Sequence, residues 1–178
     1  MKRGGHAAVL AMTGIAACGG VDPSEMPPPD PFAAPAACSS GVTRDPNESE
    51  SPLMMPGHAC NACHTDVAAS TGEAAPLFRF AGTIYPTAHE PDDCVGAAAY
   101  RAQVWVTDAN GVIQSATVNR TGNFSLEALF PAFVPPYQAK VRFEGRERHM
   151  LTPQTEGDCN SCHTEAGANG APGRIVLP

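Results

Sequence analysis

Two pentapeptides in this chain share one pattern, Cys60-Asn61-Ala62-Cys63-His64 and Cys159-Asn160-Ser161-Cys162-His163. Each places two thiols one short turn apart, with an imidazole directly after the second. Their continuations match as well, His64-Thr65-Asp66 against His163-Thr164-Glu165, so the repeat reads C-N-small-C-H-T-acid. Three chemistries suit this spacing. Four thiolates and two imidazoles can ligate zinc. Each C-x-x-C can close a small disulfide loop or cycle as a redox pair. Alternatively, the two sulfurs bond the two vinyl groups on one edge of a porphyrin, and the adjacent imidazole lies under the ring and binds iron. Thiolates for zinc are hard to keep in an oxidising compartment. A thioredoxin-type pair needs a βαβ context, and none is visible here.

The N-terminus indicates the compartment. Met1-Lys2-Arg3 is positive, and Ala7 to Ala17 is a short apolar run containing Val9, Leu10, Met12 and Ile15. Its length suits a signal h-region over residues 1–17 and is too short to span a bilayer. Ile15-Ala16-Ala17-Cys18-Gly19 resembles a bacterial lipoprotein lipobox. The resemblance implies cleavage before Cys18 and acylation of its sulfur and new amine, and several acyl chains give stable anchoring. Gly19 in place of Asp implies, by similarity to Gram-negative lipoproteins, an outer-membrane location on either its periplasmic or its surface face.

Export takes the two pentapeptides to where thioether attachment occurs. They resemble the cytochrome c superfamily, at these positions and nowhere else. The resemblance implies two covalently bound haem c groups, with Cys60, Cys63, Cys159 and Cys162 holding the rings. His64 and His163 would be the proximal iron ligands, and the activity would be electron transfer with redox partner proteins. A sixth ligand is usually Met or His. Met54, Met55 and His58 lie near the first motif, His149 and Met150 near the second, and His89 is also available. The competing role for Met54 and Met150 is apolar packing. For His58 and His89 it is that of a solvated loop residue.

The rest of the chain must position these segments. Of 178 residues, 43% are hydrophobic but only 6% aromatic, and 17 Gly with 18 Pro are too many for a helical bundle. The net charge of −7 with no basic block argues against a nucleic-acid partner. Loss of Lys2 and Arg3 with the leader makes the remainder more acidic still. Residues 18–52, rich in Pro, Ala, Ser and acidic side chains, predict a disordered tether above the membrane. Residues 53–76 and 151–178 carry the two C-x-x-C-H segments, as loops or short helices with few large side chains. Arg174 is either a partner for a porphyrin carboxylate or a solvated charge before a short terminal strand.

Between them, residues 77–150 have strand periodicity. Phe78, Phe80 and Ile84 share one face, as do Ala102, Val104 and Val106. Asp108-Ala109-Asn110-Gly111 and Thr121-Gly122-Asn123 read as turns, and Ala139 to Glu144 alternates apolar with charged. The prediction is a mainly β chain built on a small β-sandwich. Ala81-Gly82-Thr83-Ile84, Ala102 to Val106, Asp108 to Gly111 and Thr121 to Leu126 resemble the carboxypeptidase regulatory-like, transthyretin-type sandwich. That resemblance implies a non-catalytic module, and no nucleophile–base pair has a spacing that suggests otherwise. Cys38 and Cys94 remain as an even pair. In an exported chain they suggest a disulfide tying the tether's end to the sandwich, worth about 2–4 kcal/mol; Cys94 is otherwise a surface thiol. Two other functions stay open. One is a haem-free binding or structural lipoprotein with its C-x-x-C motifs as disulfide or metal staples. The other is a dihaem peroxidase-like enzyme, which needs an open axial position and a distal acid–base group.

Overall fold

The computed structural model describes residues 30–48, 50–127 and 133–178. The leader, Cys18 and the start of the tether lie outside them. One helix, α1 (Cys60–Thr71), precedes seven strands. These are β1 (Phe78–Tyr85), β2 (Gln103–Thr107), β3 (Ile113–Thr117), β4 (Asn123–Glu127), β5 (Gln138–Phe143), β6 (Arg146–His149) and β7 (Ile175–Val176). The β2–β3 turn forms as its sequence predicts. Asp108 Oδ1 accepts the N–H groups of Asn110 and Val112, and Gly111 takes a φ of 79° that favours glycine.

The strands form two sheets, ordered β4-β1-β7 and β3-β2-β5-β6. β1 pairs antiparallel with β4 and parallel with β7, while the second sheet is antiparallel throughout. The sheets share one core. Phe80, Ile84, Phe124 and Leu126 come from the first, and Val104, Val106, Ala116 and Val141 from the second. Burying each large aliphatic or Phe side chain contributes about 1.5–3 kcal/mol. The result is the mainly β sandwich the periodicity predicts.

β1 departs from simple alternation, because every residue from Phe80 to Tyr85 is buried. Phe80 and Ile84 enter the core. The opposite side is coated by the motif-bearing segments. Ala81 N–H donates to Gly157 O (3.0 Å), Gly57 N–H donates to Thr83 Oγ1 (2.8 Å), and the Arg174 guanidinium lies 4.9 Å from the Tyr85 ring centre.

Residues 30–48 also differ from the expected free tether. Backbone N–H groups of Ala88, Arg44 and Val95 donate to the carbonyls of Pro31, Asp93 and Val42. Cys38 is disulfide-bonded to Cys94, with Cα atoms 5.3 Å apart. A covalent link and backbone hydrogen bonds hold this stretch where its apolar content would not. Among the described residues, no helix is long and apolar enough to cross a membrane.

Candidate functional site

Helical spacing places Cys60, Cys63, His64 and Val67 on neighbouring positions of α1. The helix begins at Ala59, whose side chain cannot cap it. The cap comes from Asp158, the residue before the second motif. Its carboxylate accepts the N–H groups of Cys60 (3.0 Å), Asn61 (2.9 Å) and Ala62 (3.2 Å). A carboxylate at a helix N-terminus satisfies orphan donors and complements the helix dipole. Asn61 fixes the helix to β1: its Nδ2 donates to Phe78 O and its Oδ1 accepts Phe78 N–H, both at 2.9 Å. His64 is buried beside Phe78, with ring centres 5.4 Å apart, and its Nδ1 donates to Pro76 O. Cys63, Val67 and Leu77 stay exposed.

The second motif forms a single 3-10 turn over Cys159–Ser161. Asn160 repeats the role of Asn61 further along the same strand. Its Oδ1 accepts Thr83 N–H (3.0 Å), and its Nδ2 donates to Thr83 Oγ1 (3.1 Å) and His58 O (2.9 Å). Gly82 permits this docking, since a Cβ there would meet Cys159 Cβ at 2.9 Å. His163 Nδ1 donates to Gly173 O at 2.8 Å. A carbonyl can only accept, so both motif histidines carry a proton on Nδ1, and in the neutral ring Nε2 is the lone-pair donor. Burial favours the neutral His163 ring and pushes its pKa down, outweighing the Gly173 carbonyl, which favours the charged form.

Cys60, Cys63, Cys159 and Cys162 are all unpaired. Burial, reinforced by the neighbouring Asp158 carboxylate, pushes the Cys60 and Cys159 thiols up to about 12. A helix N-terminus ordinarily lowers a thiol pKa, and here the capping carboxylate opposes it. For these two thiols the environment disfavours the thiolate. Among the described residues, no group of three His, Cys, Asp or Glu side chains is arranged to hold a metal ion, so the thiols do not gather as a joint zinc site.

A cavity of about 430 Å³ opens beside the second motif, within the roughly 300–1,000 Å³ typical of small-molecule pockets. Cys159, Cys162 and His163 line one side, and Val141, Met150 and Ile175 help form the apolar wall. The distal candidates separate here. Met150 packs against the core and lines the cavity. His149 also borders it, but the ring Nε2 lies 3.0 Å from Glu147, which holds it outward. His58 Nε2 is 3.3 Å from Asp93. His89 Nδ1 donates to Glu165 O (2.7 Å) rather than pointing into solvent alone. Met54 and Met55 border no part of this cavity; Met54 serves through its carbonyl, which accepts Asn123 Nδ2 (2.8 Å).

Arg174 does precede a short terminal strand, but it is not a solvated charge. It is 3% exposed, pairs with Asp92, and donates to the carbonyls of Gly57 and Glu90. It clasps the start of the first motif to the end of the chain. The sequence repeat flags Asn61 and Asn160 but not their partners, and Asp158 carries no local signal at all. No family model, curated protein or solved structure matches this chain.

Proposed function

We propose that this chain is an exported, membrane-anchored, dihaem c-type cytochrome-like electron-transfer protein, an electron carrier rather than a catalyst. One observation carries the reading. In both C-x-x-C-H segments the histidine Nδ1 is held by a backbone carbonyl, Pro76 O and Gly173 O, beside two unpaired thiols. That orients each Nε2 for a metal, in the way metal-binding histidines are usually fixed by a second partner. The residues fit the group. Unpaired thiols in each pentapeptide suit thioethers, and an apolar cavity borders the second set.

Cys60 and Cys63 would hold one haem c with His64 as ligand; Cys159 and Cys162 would hold the other with His163. Bound haem supplies one-electron iron chemistry. The chain's own contribution is positioning. Asn61 and Asn160 fix both segments on β1, and Asp158 fixes α1. Cys18 would supply the lipid anchor to the outer membrane, and redox proteins would be the partners. Val67 and Leu77, exposed beside Cys63, provide apolar surface for the first ring to cover.

The test is expression in a periplasm with haem-attachment machinery, followed by intact mass and a haemochrome spectrum. Two haems per chain are expected. Cys60→Ser with Cys63→Ser should leave one, and so should Cys159→Ser with Cys162→Ser. A colourless product of unmodified mass overturns the reading.

A further inference from the structure

We infer that Arg148 is the anchor for a carboxylate of the tetrapyrrole bound at the second motif. The inference rests on the haem reading above and names the part of the site that fixes the ring's polar edge. Three cations border the cavity: Lys140, Arg148 and Arg174. Two are already neutralised. Lys140 Nζ lies 3.0 Å from Glu147, on the outer face beside Trp105, and Arg174 pairs with Asp92. The two bordering carboxylates are also engaged. Asp158 caps α1, and Glu156 Oε1 accepts Asp158 N–H at 2.9 Å.

Arg148 differs from these. It pairs across the hairpin with Val141, a core residue, so it faces inward, while His149 pairs with Lys140 and faces outward. Its Nε donates to Leu177 O (3.1 Å), and its terminal amino groups make no further hydrogen bond among the described residues. A half-buried guanidinium turned toward an apolar cavity is a fork suited to a carboxylate. Cys159, Cys162 and His163, whose Nδ1 is taken up by Gly173 O, line the same cavity. A porphyrin diacid held by its vinyl edge at Cys159 and Cys162 would carry its carboxylates on the opposite edge, and Arg148 is the bordering cation left to take one. The alternative role for Arg148 is an inward charge that discourages pairing along the β6 edge.

Two measurements separate these roles. In the loaded chain, Arg148→Gln should lower the second site's reduction potential, because removing a nearby cation favours ferric iron, and Arg148→Lys should restore most of it. Unaltered potentials with only a lower melting temperature overturn the anchor. The wild-type chain prepared without haem attachment should bind protoporphyrin IX about tenfold more tightly than its dimethyl ester. Equal affinities overturn the anchor and leave the haem reading standing; binding of neither porphyrin, with a colourless product from the attachment experiment, overturns both.

Discussion

Asp158 accepts three backbone N–H groups from a helix that begins 98 residues earlier in the chain. Asp158→Ala should cost about 1–2 kcal/mol, the usual loss for an N-cap, and should speed amide exchange at residues 60–62, while Asp158→Asn should keep most of both. Melting curves and residue-resolved exchange check this. Thiol labelling gives a second outcome at this scale. In the unmodified chain, solvent-exposed Cys63 should be labelled first, whereas Cys60 and Cys159, with pKa values pushed to about 12, should lag by roughly tenfold or more. Mass spectrometry of timed samples reads the order. The motif residues themselves were legible, because C-x-x-C-H is a local pattern. The asparagines were visible only as a repeated letter. Their meaning lies in the backbone of β1, at Phe78 and Thr83, and no local periodicity encodes that contact.

Among the elements, β1 carries the largest gap between pattern and structure. Its Phe80 and Ile84 face was readable from period-two spacing. Ala81, Thr83 and Tyr85 are buried on the other side because distant segments lie across them, which alternation alone reads as solvent-facing. Gly157 shows how close that approach is. A Cβ there would overlap the Arg79 carbonyl. Gly157→Ala should therefore destabilise by about 2 kcal/mol or more and displace the second motif, seen as a lowered melting temperature. The 30–48 segment misled composition for a related reason. Its order comes from Cys38–Cys94, three backbone bonds, the Ser39 N–H to Glu90 bond and the Arg44–Asp93 ion pair, not from a core. Reducing that disulfide should cost about 2–4 kcal/mol while leaving the far-UV signature of the strands unchanged.

At the scale of the whole molecule, three carboxylates among the described residues are held below their ordinary values and shape the acid response. Hydrogen bonds from Arg44 and then His58 hold Asp93 below its ordinary value. Lys140, with help from His149 and Arg142, does the same for Glu147 against some desolvation. At Asp108, desolvation pushes upward, but the N–H groups of Val134, Val112 and Asn110 together outweigh it. A carboxyl whose folded pKa is depressed stabilises above its unfolded value, about 3.9 for Asp and 4.3 for Glu. That contribution is lost as pH falls through the folded pKa. The melting temperature should therefore drop below about pH 4, and Asp93→Asn with Asp108→Asn and Glu147→Gln should flatten that drop.

The parallel pairing of β7 with β1, together with the Asp158 cap on α1, has a consequence for the order of assembly. As the polypeptide is made amino end first, the Cys60 segment appears early but without its helix cap, and β1 lacks a neighbour. Both are supplied only by the last stretch to be made. The first C-x-x-C-H segment to be made is thus among the last to mature, and, on the proposed haem reading, a chain clipped before residue 157 should be a poor substrate for attachment at either motif.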